Sequence, residues 1–557
     1  MTIAQLADEL LDVLLDAAPL EASLLGIRDR EDRLTDYTEA GETAVDRRLA
    51  ELAERARAVD PAGLSPDDRV TRSVVLRQIE IERDRLATRG IEYTVVNSFF
   101  APAVGTLSEL PLVGITEQAH ADGYLARLAA LPTLFAAIAE RHRSGVAAGR
   151  LPVRRLAEAT VAHFERYLAA PADDPLRRPE PAPGSGADTG AFRAERDRLL
   201  TDVVYPAVGR YRDAVAADVV PYGRPDDRPG LSWLPGGDDF YARLARGHTT
   251  TDRTPDQLHQ TGLEVLARLT DEYAEVGSRV FGTTDLRDIL GRLRTDPAMR
   301  WKDGDELLAA ARSAIMRAEE VAPRWFGRLP SQSCVVEAVP AAEAPGAPGA
   351  YYMQPALDGS RPGTYFANTH EAEKRDRYSA ESVAFHEGVP GHHFQITISQ
   401  ELTHLPRLRR LMGVTAYDEG WGLYTERLAD EMSLYSDDVA RLGMLSEDSL
   451  RACRLVVDTG LHAKGWSRQQ AVDFMVANTA TSQVEIETEV DRYISAPGQA
   501  LAYMVGRLEI QRIRAVAEAA LGDAFDIRAF HDVVLGSGAL PMGVLDEVVR
   551  AWVDGQG

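Results

Sequence analysis

Apolar residues recur three and four positions apart along most of the chain, with charged residues between them. "TAVDRRLAELAERARAV" and "RVTRSVVLRQIEIERDRLA" show the pattern, as do "YLARLAALPTLFAAIAERHR", "RRLAEATVAHFERYLA", "PDQLHQTGLEVLARLTDEYAEVGSRV" and "DGDELLAAARSAIMRAEEVAP". That spacing lays the apolar side chains along one face of a helix and predicts amphipathic, core-facing helices. Start signals precede two of them: "SPDD" at 65–68 and "TPDQ" at 254–257 put Ser or Thr before Pro and then acids. The pattern breaks in stretches rich in Pro, Gly and Asp at 170–192, 222–230 and 339–350. Strand-like material is confined to "SCVVEAVP" (333–340), "AYYMQPAL" (350–357) and "GTYFANT" (363–369). The expected fold is mainly α, a large multi-helix body with a small β-sheet beside the helix that follows these strands. The break at 170–192 suggests an N-terminal helical lobe over 1–172 and a larger helical region over 192–557, both parts of one fold.

Composition narrows the function classes. A length of 557 residues exceeds the size at which one core usually stops growing. The net charge of −24 repels phosphate backbones and argues against nucleic-acid binding. Two cysteines, Cys334 and Cys453, supply neither a disulfide framework nor a thiolate zinc site. No stretch offers the ~18 uncharged apolar residues of a membrane span. The opening "MTIAQLADELLDVLLDAAPLEASLLG" lacks a basic leader region and reads as an amphipathic helix rather than a signal peptide, so a cytoplasmic location is expected. The glycines of "GSGADTG" (184–190) sit in a Pro-rich linker with no strand before them, and no phosphate loop or nucleophile elbow is present.

The chemistry concentrates in "ESVAFHEGVPGHHFQ" (381–395), within a segment from His370 to His462 that holds six of the twelve histidines. The zinc-protease signature H-E-x-x-H places two imidazoles one helical turn apart, with the Glu between them as base. Here the second position is Pro390, and the next histidines are His392 and His393. On a straight helix His392 would lie about 9 Å further along the axis than His386, too far to share an ion. Pro390 cannot donate to the carbonyl of His386 and crowds it, and Gly388 and Gly391 flank it. A looped-out bulge of two residues is therefore expected to bring His392 to the metal, with His393 as the alternative ligand. A third ligand is expected from "TAYDEGWGLYTERLADEM" (415–432), where Glu419 and Glu426 share one face; Glu419, beside Gly420 and Trp421, is preferred. The bland alternative is a charged helix face with a Pro-Gly kink.

"HEGVPGHHFQ", "DEGWGLYTERL" and "RYISAPGQALAYMVGRLEI" (492–510), with "RLVVDTGLHAKGWSRQQAVDFM" (454–475) and "GHTTTDRTPDQLHQTGLEVL" (247–266), resemble a widespread bacterial family of unknown function, over most of the chain from about 190 onward. That family is similar in fold to the helical zinc carboxypeptidases of the carboxypeptidase Taq family and, more distantly, to the angiotensin-converting-enzyme and oligopeptidase groups. The resemblance implies a deep channel between two helical halves and one zinc per chain. It implies His386 as first ligand, Glu387 as base, Gly391-His392 as the place of the second histidine and Glu419 as the later ligand. For the oxyanion donor, "PGQALAY" points to Tyr503, with His462, one turn after Asp458, as second choice. "GTYFANT", with Tyr365 and Asn368, is expected to pair with an extended peptide as an edge strand. Arg454, Arg492 and Arg507 are candidate carboxylate clamps. The activity so implied is hydrolysis of small peptides; the alternative is a metal- or ligand-binding protein that keeps the scaffold without turnover.

Overall fold

The computed structural model describes every residue except 1, 342–343, 345–346, 358–360 and 557. Helices dominate, and they begin where the start signals stand. Ser65 accepts a hydrogen bond from the Asp68 amide and opens helix Pro66–Ala87. Thr254 and Gln257 form a reciprocal capping box at the head of helix Pro255–Phe281. The opening residues form helix Ile3–Ala17, whose apolar face is buried. Both cysteines are free and buried. Among the described residues no helix is long and apolar enough to cross a membrane.

All three strand segments form a single sheet: β1 (Val335–Ala338), β2 (Ala350–Met353) and β3 (Thr364–Ala367). The order is β1-β3-β2, with β1 parallel and β2 antiparallel to β3. This corrects one expectation. "GTYFANT" is the central strand, bonded on both sides, and has no free edge to offer a peptide; β1 and β2 are the outer strands.

The core is continuous between distant parts of the sequence. Helices within 3–79 bury their apolar faces in one cluster with residues drawn from 301–549, while residues between 91 and 219 form most of a second cluster. The first cluster encloses Trp421, fully buried on helix Thr415–Glu431. That helix packs along helix Ala502–Leu521 and against helix Ala380–Glu387, so segments more than 100 residues apart meet at one place.

Candidate metal centre

Helix Ala380–Glu387 stops one residue after His386, and helix His392–Glu401 starts at His392. The four residues between them form a turn that contains a cis Val389–Pro390 peptide bond. The expected bulge inside one helix is thus a full break between two. The physical reason is the one anticipated: Pro390 can neither donate to nor tolerate the carbonyl four residues back. Gly391 permits the close fold-back, because a Cβ there would stand 1.8 Å from the His386 carbonyl oxygen. The Trp421 indole N–H donates to the Pro390 carbonyl at 3.0 Å and ties the turn to the Glu419 helix.

The break brings the imidazoles together. Their ring centroids lie 4.9 Å apart at an interplanar angle of 89°. His386 Nε2 is 3.5 Å and His392 Nε2 3.6 Å from the same carboxylate oxygen, Glu419 Oε2. A tetrahedral ion with bonds of ~2.0–2.1 Å separates its ligand atoms by about 3.3 Å, so these spacings fit a shared zinc. Among the described residues, His386, His392 and Glu419 are the group whose ligand atoms all lie within 4.8 Å of one another.

The surroundings suit a metal too. His386 Nδ1–H donates to Glu426 Oε1 at 2.8 Å, and Glu426 Oε2 accepts from Ser382 Oγ at 2.5 Å. A carboxylate on the far nitrogen orients the ring and, with a metal bound, would fix the tautomer that offers Nε2 as ligand. Gly422 keeps the ring's face clear, since a Cβ there would come within 2.6 Å of His386 Nε2. Without a metal, burial opposes a charge on His386, but its bonds to Glu419 and Glu426 prevail and lift it to about 9. Glu419 is pulled the other way: burial would raise its carboxyl, and the two histidines hold it well below the usual range. Burial pushes Asp418 up to about 7.

The remaining candidates divide. His393 is not a ligand in this arrangement, because its Nε2–H donates to the Gln332 carbonyl at 2.9 Å and its Nδ1 accepts from Tyr352 OH at 3.0 Å. Glu387 is only partly buried, and its Oε2 accepts from the Tyr352 amide of β2 at 3.2 Å. Tyr503 stacks on His386, with ring centroids 6.4 Å apart. Burial and the Glu419 charge raise its phenol. Arg454 lies 4.5 Å from the Tyr503 ring centroid, and Arg492 donates to its hydroxyl at 3.2 Å.

Other candidates are committed elsewhere. His462 spends both nitrogens on backbone, accepting from the Leu231 amide at 3.1 Å and donating to the Tyr493 carbonyl at 3.0 Å. Asp458 bonds Tyr241 and the Gly498 amide, not His462. Arg507 is buried and paired with Asp448, which Arg427 also neutralises, so it is no free clamp. The Asn368 amide pins a loop by donating to the carbonyls of Ala344, Ala347 and Pro348. Tyr365, by contrast, is buried opposite Tyr352 in the sheet, and burial and the Glu387 charge raise its phenol. Sequence reasoning missed the roles of Glu426, Ser382 and Tyr352. Only Glu426 left a signal, seven residues after Glu419 on the same helical face.

A family described as "Bacterial protein of unknown function (DUF885)" matches residues 19–549. The chain belongs to this DUF885 family. Two solved structures share its fold. A "putative lipoprotein" from Colwellia psychrerythraea is 27% identical, with a TM-score of 0.90 and 99% of each chain covered. A "putative lipoprotein of unknown function" from Shewanella oneidensis is 19% identical, with a TM-score of 0.78, covering 99% of this chain and 100% of that one. No curated protein matches the chain.

Proposed function

We propose that this DUF885 protein is a zinc-dependent peptidase that hydrolyses small peptides, with one zinc per chain held by His386, His392 and Glu419. The observation that carries the reading is the approach of both Nε2 atoms to one Glu419 oxygen, with Glu387 next in sequence to His386. A bound zinc would supply a Lewis acid and lower the pKa of a water toward ~7. Glu387 takes the proton from the attacking water and returns it to the leaving amine. The Tyr352 amide orients Glu387 through its Oε2, leaving the other oxygen for that transfer. Tyr503 donates a hydrogen bond from its phenol to the developing oxyanion, and Arg454 and Arg492 hold the ring and hydroxyl in place. The fold similarity to carboxypeptidase Taq enzymes, with a channel between two helical halves, belongs to the same proposal.

The test is a peptide-library digest by the zinc-loaded protein, with and without chelator, beside the Glu387→Gln variant. Chelator-sensitive cleavage that the variant loses supports the reading; cleavage that Glu387→Gln leaves intact removes Glu387 as the base. The partly open site equally suits a metal-binding protein without turnover, which binds zinc in metal analysis and cleaves nothing. The two solved neighbours are described as putative lipoproteins, which brings in an exported site of action beside a cytoplasmic one; cell fractionation separates them.

A further inference from the structure

A second feature adjoins the triad at His392. A cavity of about 200 Å³ starts at His392 and Tyr352 and runs along helix His392–Glu401 as far as Gln400. Leu25, Ile396, Leu411 and Met412 give it apolar walls. Gln395 and Asp418 also line it; Gln395 Oε1, Asp418 Oδ1 and His392 Nδ1 are buried with no hydrogen-bond partner among the described residues, while Gln395 and His392 both act on the Asp418 carboxyl. Gln395 is only 4% exposed. Buried acceptors are rarely left unpaired in a native protein, and two lining one cavity suit a ligand with N–H donors.

Position decides what that ligand is attached to. The cavity shares His392 with the triad and Tyr352 with the strand that holds Glu387. Gln395 stands one helical turn from His392, and Asp418 precedes the ligand Glu419. Arg410, the guanidinium lining the cavity, lies at the other end. Its Nε and Nη2 donate to the Gln400 carbonyl at 3.2 and 2.8 Å, and Gln400 is about 12 Å along the helix from His392. The end next to the metal site therefore carries a carboxylate and an amide oxygen beside the His392 ring, whose charge bears on Asp418, with the guanidinium held away from them.

Resting on the peptidase reading, we propose that this cavity is a recognition subsite for an ammonium group carried close to the reacting bond, with Asp418 and Gln395 as its acceptors and the apolar walls taking the adjoining carbons. The ammonium comes either from a free α-amine or from a lysine-type side chain.

The test uses the full chain loaded with zinc and peptides in matched pairs: lysine against norleucine on either side of the cleaved bond, and a free against an acetylated α-amine. One pair should favour the amine by about ten-fold or more in kcat/KM, the scale of a charge-assisted hydrogen bond, and which pair does so identifies the source. Gln395→Leu, and separately Asp418→Asn, should bring that ratio close to unity while zinc remains bound. No preference in either pair, or a preference that both variants keep, overturns the proposal. Calorimetric titration with n-butylammonium chloride needs no turnover. Binding that both variants weaken supports the subsite, and no binding to the wild type overturns it. A protein that binds butylammonium but cleaves no peptide refutes the peptidase reading and leaves the subsite standing.

Discussion

His386 and His462 are both buried histidines on helices that carry a nearby carboxylate, yet the structure gives them opposite surroundings. His386 commits Nδ1 to Glu426 and keeps Nε2 directed at Glu419 and His392. His462 commits both nitrogens to backbone groups, and Asp458, one turn before it, turns to Tyr241 and Gly498. The difference teaches that neither burial nor a carboxylate at helical spacing marks a ligand. What marks it is a nitrogen left uncommitted and facing other uncommitted donors.

The sharpest way to break the comparison is through the chemistry that only the first region should support. Glu387→Gln keeps the size and loses the base, so hydrolysis should fall ~10²–10⁴-fold in kcat while zinc content stays the same. Equal turnover by wild type and variant would take general-base chemistry away from this centre. Next in size is metal retention. His392→Ala removes one of the three proposed ligands and should leave the dialysed protein without zinc, whereas His393→Ala, whose ring is held by Gln332 and Tyr352, should keep it. The reverse outcome in elemental analysis would exchange the two histidines' places. A smaller effect is expected at Glu426. Glu426→Gln weakens the acceptor on His386 Nδ1 and should lower zinc affinity about 10–100-fold in a competition titration with a chromophoric chelator.

Much of this was legible in the sequence, and the rest was hidden for physical reasons. Helix starts were readable at Ser65 and Thr254 because capping is local chemistry, and the three strands because their composition differs from everything around them. The interruption at Pro390 was readable because a proline's missing donor acts within one turn. The order of the strands was not, since neighbours in a sheet are chosen by packing between segments far apart. The same holds for His393, whose partners Gln332 and Tyr352 are 61 and 41 residues away. Arg507 read as a free cation because its partner Asp448 is 59 residues earlier. Gly422 is clear only in retrospect: the ring it makes room for belongs to another helix.

The smallest expected effect comes from the second region and tests it as a purely structural element. His462→Gln should keep its zinc and lose about 1–3 kcal/mol of stability near neutral pH, because the Leu231 amide and the Tyr493 carbonyl lose their shared partner. The pH dependence adds an independent sign. Burial depresses His462 to about 3, so in the folded state it stays neutral where the unfolded chain already binds a proton. Its contribution to stability is therefore complete above the ordinary histidine value of ~6.5 and is lost as pH falls from there toward 3. The gap between wild type and His462→Gln in denaturant midpoint should narrow on acidification through that window. A gap that widens, or a loss of zinc from the variant, would mean that His462 acts at the metal centre after all and that the contrast with His386 is false.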